Sequence, residues 1–215
     1  MQTALPPNDV VGLVLAGGLS RRMGGGDKAL HLLGGKPMLG HVIARLRPQV
    51  GLLVLSANGD PARFAQFGLP VVADTIPGFA GPLAGVLAGM HWARQQVPSA
   101  RWIVSAAADT PFFPTDLVSK FVTAAAAKFN RVVLASSEDG THPVFGLWPV
   151  ALADDLERAL TAGTRKILAW TDSHDTVLVT FAHFQAGDRA VDPFFNANRP
   201  QDLAEAEAIL KQMRS

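Results

Sequence analysis

The 215-residue chain has no cysteine, which excludes disulfides, thiolate catalysis and Cys-ligated zinc and fits a reducing compartment. Neither sign of charge is in excess. Nineteen Lys and Arg stand against 18 Asp and Glu, a net charge of +1, so no broad basic face for nucleic acid is implied. No apolar run approaches the ~20 residues of a membrane helix. The first residues, Met1 to Asp9, lack the basic and apolar regions of a signal peptide. The expectation is a soluble, cytoplasmic protein with no membrane or nucleic-acid partner. Internal repeats and Pro/Ser-rich linkers are absent too. His31, His41, His91, His174 and His183 show no paired ligand spacing and read as structural.

What remains is a globular composition, 48% apolar and 17% charged, with enough chain for one domain of ordinary to large size. Residues 1–8 read as a mobile tail. Val10, Val11, Leu13, Val14 and Leu15 form a β-branched apolar run, the pattern of a strand covered on both faces. Further strands are predicted at Leu52–Leu55, Leu69–Val72, Trp102–Val104, Val132–Leu134 and Val177–Phe181. His142 to Trp148 reads as extended and antiparallel. Ala29–Leu33 reads as a short extended piece. Helices are predicted from Pro37, over Pro61–Phe67, to about Gln96, after Pro114, near 150–161 and 164–171, and after Asp202 to about Lys211. This alternation predicts a three-layer α/β/α, Rossmann-like fold with a mostly parallel central sheet and one antiparallel strand.

The first strand runs into a glycine-rich, basic loop, with Gly17, Gly18, Gly24, Gly25 and Gly26 among Arg21, Arg22 and Lys28. Glycines let backbone N–H groups approach a ligand, and successive N–H groups form a concave anion site. Three cations against the single acid Asp27 suit a polyphosphate, and the end of a first strand is where open α/β sheets bind ligands. The alternative is a solvated surface loop. Common phosphate motifs do not account for the stretch. Lys28 is followed by Ala29, so a Walker A hydroxyl is missing, and the adjacent Gly17 and Gly18 do not make G-x-G-x-x-G.

Leu15-Ala16-Gly17-Gly18-Leu19-Ser20-Arg21-Arg22-Met23-Gly24-Gly25-Gly26-Asp27-Lys28 resembles the nucleotidyltransferase signature L-A-G-G followed by S-x-R-M-G-x-x-K, in the version of the molybdenum cofactor guanylyltransferase (MobA) family. The resemblance extends through ordered motifs from Val11 to about Leu203. It implies a single nucleotidyltransferase domain over 9–215 that transfers GMP from GTP to molybdopterin and releases pyrophosphate. Mg²⁺ would be the metal. Molybdate-insertion proteins and molybdoenzyme chaperones would be its partners.

Asp109 follows a buried strand in Asp-Thr-Pro. A carboxylate there, beside a phosphate loop, is a natural Mg²⁺ ligand; it could otherwise cap the next turn. The resemblance places the metal-binding Asp here. Ala107 stands where a related glycosyltransferase usually has the first Asp of an Asp-x-Asp pair, which counts against sugar transfer. The segment Phe195 to Leu203 resembles the family's closing N-x-N-T-P-E-D-L, with Arg199 for Thr and Gln201 for Glu. It implies a metal role for Asn198 and a molybdopterin contact for Asn196; Asn198 could instead cap the helix.

Leu15, Ala16, Gly17, Gly18, Asn58 and Asp74 match nucleotide-contacting positions. The Asp74 carboxylate could accept from guanine N1–H and the 2-amino group, or bind a ribose hydroxyl, or cap a turn. Gly81, Pro82 and Leu83 open a G-P-L-A-G loop that lies beside the base in the family; Pro82 also suits a helix start. Lys28, assisted by Arg22, would neutralise phosphate oxygens as charge moves to pyrophosphate. Arg165 and Lys166 are matched to the molybdopterin phosphate, or are a solvated helix start. The phosphate nucleophile, with its second pKa about 6, needs no general base. The rival readings are a molybdopterin cytidylyltransferase, a sugar-1-phosphate nucleotidyltransferase and a non-catalytic GTP-binding protein. The first of these favours L-A-A-G and lacks G-P-L-A-G.

Overall fold

The structure is a computed structural model that describes residues 9–17, 27–76, 81–126 and 128–213. Gly18 and Arg22 lie outside the described residues, as does the centre of the first loop.

β1 (Val10–Leu15) is buried at Val10, Val11, Leu13 and Val14 because both faces of the sheet are covered. It pairs in parallel with β4 (Leu52–Ser56) on one side and β6 (Trp102–Ala107) on the other, with Val11 opposite Leu52 and Ile103. β5 (Val71–Val72) extends the sheet beyond β4. On the far side β8 (Gly140–Pro149) runs antiparallel between β6 and β7 (Val132–Ser137), and β9 (Thr176–Thr180) is parallel to β7. The order is β5-β4-β1-β6-β8-β7-β9. The predicted mostly parallel sheet with one antiparallel strand is therefore present.

Successive residues of β1 serve opposite layers, as the two-residue period of a strand requires. Val10 and Val14 pack with α1 (Met38–Leu46) and α3 (Leu117–Ala125). Val11 and Leu13 pack with α2 (Pro82–Gln96), α4 (Ala153–Thr161) and α5 (Ile167–Thr171). Small residues set the spacing of α2. A Cβ on Gly85 would lie 2.6 Å from Leu15 and 2.7 Å from the Ser56 hydroxyl, and one on Gly89 would lie 2.8 Å from Leu13. Only glycine lets this helix sit so close to the sheet. Across β6 and β8 the buried Ser105 hydroxyl donates to the Val144 carbonyl at 2.6 Å and accepts from the Trp148 indole at 2.8 Å. It thus satisfies the indole N–H inside the core.

A smaller layer caps one end. The hairpins β2 (Leu32–Leu33) with β3 (Lys36–Pro37) and β10 (Phe184–Ala186) with β11 (Arg189–Val191) meet α6 (Pro200–Gln212) around Leu33, Phe112, Val191 and Ile209.

Several local expectations change. Lys28–Leu30 is a 3₁₀ turn, not extended chain, because the Asp27 carboxylate accepts from the Ala29 N–H at 3.3 Å. Pro61–Phe67 is helical but 3₁₀. The third strand is only Val71–Val72. Thr164–Lys166 is not helical; α5 starts at Ile167. α6 starts at Pro200, because the Asp202 carboxylate accepts from the N–H groups of Asn198 and Arg199, each at 2.8 Å.

Candidate active site

Four parallel strands each place a residue at the second position beyond their C-terminal end: Gly17 after β1, Asn58 after β4, Asp74 after β5 and Asp109 after β6. All four line one cavity of about 300 Å³, with Leu15, Gly81 and Pro82. The strand ends are held together by further backbone bonds. Ala16 N–H donates to Ser56, Ala57 N–H to Val72, and Ala108 N–H to Leu15, at 2.9, 2.9 and 3.1 Å. A rigid ledge of backbone therefore fixes where these side chains project.

Asn58 and Asp74 form a reciprocal pair. The Asn58 amide donates to Asp74 Oδ2 at 2.8 Å, and the Asp74 N–H donates to Asn58 Oδ1 at 2.9 Å. The Asp74 carboxylate is thereby oriented with one oxygen committed, and Oδ1 has no hydrogen-bond partner among the described residues. Arg63, on the 3₁₀ turn, reaches back to this loop. Its Nη2 donates to the Asn58 carbonyl at 2.5 Å and its Nε pairs with Asp27 at 3.0 Å. Arg63 thus ties the nucleotide-side loop to the residue that precedes Lys28.

Lys28 joins segments far apart in the chain. Its Nζ donates to both Asp109 Oδ2 and Asn198 Oδ1. The side chains of Lys28 and Asp109 are 13% and 21% exposed, so their attraction is less screened than at an open surface. The Asn196 to Asn198 segment is fastened to the same point, since the Ala197 N–H donates to the Asp109 carbonyl at 3.0 Å. With its amide oriented by the surrounding donors and acceptors, Asn196 donates to Asp109 Oδ2 and Oδ1 at 3.1 and 3.3 Å. One carboxylate and two amide oxygens in one cluster are hard oxygen donors, a set that fits Mg²⁺. Lys28 beside them supplies a cation to phosphate.

Some sequence-predicted residues do not reach the cavity. Leu83 is fully buried in the α2 core, and Ala16 is 5% exposed and packs in the other layer. The Arg165 guanidinium turns back onto the carbonyls of Leu160 and Thr164 at 2.7 and 2.9 Å. Its backbone carbonyl lies 3.6 Å from where a Gly81 Cβ would stand, so the segment still borders the cavity. Lys166 precedes α5 as its N-cap residue. Gly85, the last residue of the G-P-L-A-G loop, lines the cavity; sequence reasoning missed Ser56, Ala107 and Val144, which line it too. Ser56 and Ala107 close their strands, so the strand ends themselves were the available signal.

The layout has known relatives. The MobA-like NTP transferase domain model matches residues 12–177. A protein of Bradyrhizobium sp. (strain ORS 278) named molybdenum cofactor guanylyltransferase is 52% identical over 93% of this chain and 92% of its own. One of the same name from Rhodopseudomonas palustris (strain HaA2) is 50% identical, covering 92% and 90%. Among solved structures, molybdopterin-guanine dinucleotide biosynthesis protein A from Archaeoglobus fulgidus superposes with a TM-score of 0.72. It is 25% identical and covers 94% of this chain and 100% of that one.

A cavity at the C-terminal ends of parallel strands, lined by Asp109, with Lys28 bound to that carboxylate, on this fold, defines a nucleotidyltransferase. Within that class, the matched domain covers most of the sequence, and the chain belongs to the MobA-like NTP transferase domain family.

Proposed function

We propose that the protein transfers GMP from GTP to the terminal phosphate of molybdopterin, releasing pyrophosphate and forming the guanine dinucleotide cofactor. One observation carries the reading. Asn58, Asp74, Gly81 and Asp109 line a single cavity in a chain about half identical to guanylyltransferases over nearly its full length.

The chemistry follows from charge. The nucleophile is a phosphate monoester whose second pKa is about 6, so it is largely dianionic at neutral pH and needs no general base. Its oxygen bonds to the α-phosphorus of GTP as the bond from that phosphorus to the bridging oxygen breaks. The electron pair leaves with pyrophosphate. The difficulty is bringing two anions together, so the site needs cations and oriented donors more than proton acceptors. Lys28 meets the phosphates, with Arg22 and the N–H groups from Gly17 and Gly18 assisting. Asp74, oriented by Asn58, accepts from the N1–H and 2-amino group of guanine. Gly81 and Pro82 lie along the base. Asp109 and Asn198 would hold Mg²⁺, which neutralises charge on the triphosphate when bound. Displacement of Lys28 from Asp109 and Asn198 toward phosphate opens those oxygens.

On this reading Asn196 and Lys166 face the molybdopterin side, and Arg165 joins them once its guanidinium leaves the Leu160 and Thr164 carbonyls. The whole reaction is carried by one domain over 9–215, with molybdate-insertion proteins and molybdoenzyme chaperones as its protein partners. Among the described residues no helix is long and apolar enough to cross a membrane, which agrees with water-soluble substrates.

Titration calorimetry with GTP and with CTP, each with and without Mg²⁺, tests the reading. A preference for GTP of at least tenfold, about 1.4 kcal/mol, is expected. Equal or tighter binding of CTP would favour a cytidylyltransferase and remove the base-side role of Asp74 and the Gly81 loop.

A further inference from the structure

A second cluster of ligating side chains lies on the same edge of the sheet, beyond β7 and β9. Asp139 comes from the β7–β8 turn, His183 follows β9, and Asp192 follows β11. One ligand atom from each lies within 4.8 Å of the other two. His142, on β8, adjoins them, with its Nε2 3.4 Å from Asp192 Oδ2 and 2.7 Å from the Ser137 hydroxyl.

The groups are arranged as a site. Among the described residues neither Asp139 nor Asp192 pairs with a lysine or arginine; the charged partner of each is an imidazole. His183 Nε2 is shut off from solvent and, although 3.2 Å from Asp139 Oδ2, has no hydrogen bond of proper geometry. A buried ring nitrogen without a hydrogen bond is rare, and a bound ion is one way to satisfy it. The neighbours are fixed in advance. Asp192 Oδ1 accepts from the Phe194 N–H at 2.9 Å, and the His142 ring stacks on Phe194 with centroids 4.5 Å apart. The other such cluster, His91, Asp154 and Glu157, is different. Arg94 already occupies Asp154 at 2.5 Å, and His91 and Glu157 stand 3.9 Å apart.

We propose that Asp139, His183 and Asp192 bind a divalent transition metal, Zn²⁺ by ligand type, with His142 beside it as a fourth donor. Imidazole with carboxylate suits Zn²⁺, whereas all-oxygen sets suit Mg²⁺. The ligands come from three separated segments, so the ion would clamp the β7–β8 turn and the chain after β9 onto residues 192–194. That last segment leads directly to Asn196 and Asn198. The ion therefore buttresses the active-site asparagines without touching the reacting atoms.

The test uses the full-length protein. Zn²⁺ binding is counted by equilibrium dialysis, and Co²⁺ serves as the spectroscopic probe through its visible d–d bands. Wild type and Asp109→Asn should each bind the ion with the same Co²⁺ spectrum, which separates this site from the Asp109 cluster and from the reading built on it. His91→Ala should also keep the spectrum. Asp139→Asn, at an exposed turn position, and His183→Ala should lose one bound Zn²⁺ per chain. Their affinity should fall by more than the ~10–100-fold that loss of an outer-shell partner costs. Saturating Zn²⁺ should raise the melting temperature of wild type but not of these two variants. Circular dichroism of the metal-free proteins checks that they are folded. No bound Zn²⁺ in wild type, a Co²⁺ spectrum that survives in folded Asp139→Asn, or one abolished by Asp109→Asn or His91→Ala would each overturn the proposal.

Discussion

At the centre of the sheet edge, β1, β4, β5 and β6 each deliver a cavity residue two positions past the strand: Gly17, Asn58, Asp74 and Asp109. At the flank, Asp139, His183 and Asp192 arrive from a turn and two connections. In the first region local sequence dictates the site, because a strand that ends is a strand that presents its next residues at the sheet edge. In the second the packing of β9, β11 and the β7–β8 turn does the assembling. The two regions also differ in chemistry. The centre gathers a cation and hard oxygens from Lys28, Asp109 and Asn198. The flank gathers imidazoles and carboxylates.

The largest effect should come from the centre. Asp109→Asn keeps the shape but removes the charge facing Lys28. Guanylyl transfer measured by pyrophosphate release should fall by about 10²–10³ or more, the scale for loss of one preorganised electrostatic contact. A fall of similar size in His183→Ala would erase the distinction between centre and flank.

Gly85→Ala sharpens the central region from the helix side. Its Cβ would press on Leu15 and Ser56, both of which line the cavity. Overpacking costs about 1–3 kcal/mol, and here both stability in urea and GTP affinity should drop. The same substitution at Gly163, where φ is +100° and nothing lies within 4 Å, should leave GTP affinity alone.

A smaller effect is expected at Arg63, which ties Asp27 to the Asn58 carbonyl. Its side chain is about one-third exposed, so Arg63→Ala should cost under about 1 kcal/mol of global stability. GTP binding should weaken more than that change implies, because the variant loosens both loops of the cavity. Unchanged GTP affinity would show that the link is incidental.

The smallest effect belongs to the flank. Burial holds the His142 imidazole below its ordinary pKa of 6.5, against the opposing pull of Asp192 and Asp139. As pH falls through 6.5 the unfolded chain takes up the proton first. This contribution to stability is therefore full above 6.5 and is lost as pH falls below it. Urea midpoints measured from pH 7.5 down to about 5.5 should decline, and His142→Gln should flatten that slope.

Much of this was legible in the sequence, for physical reasons particular to each element. The buried run of β1 and the apolar patches of β4 and β6 marked the parallel strands, and the residues beyond their ends marked the site. The antiparallel β8 was readable from His142 to Trp148, though it begins at Gly140. Leu83 was placed beside the base by its motif position, which does not say which way a helical side chain points; its side chain is buried in the α2 core, leaving only its backbone for such a role. Arg165 was matched by its charge, yet its guanidinium is engaged by the carbonyls of Leu160 and Thr164. The 3₁₀ turn at Lys28 depends on the Asp27 carboxylate bond, a contact weaker than any periodicity could reveal. His183 read as structural because its partners are distant in the chain: spacing detects ligands on one element, not ligands brought together by three.

The central claim is best tested by one turnover measurement. Purified protein, Mg²⁺, molybdopterin and either GTP or CTP are incubated, and the dinucleotide product is identified by mass and matched to pyrophosphate released. The account predicts the guanine dinucleotide in proportion to pyrophosphate, with CTP at least tenfold less effective. Equal or faster product from CTP, or pyrophosphate release that does not require molybdopterin, would contradict it.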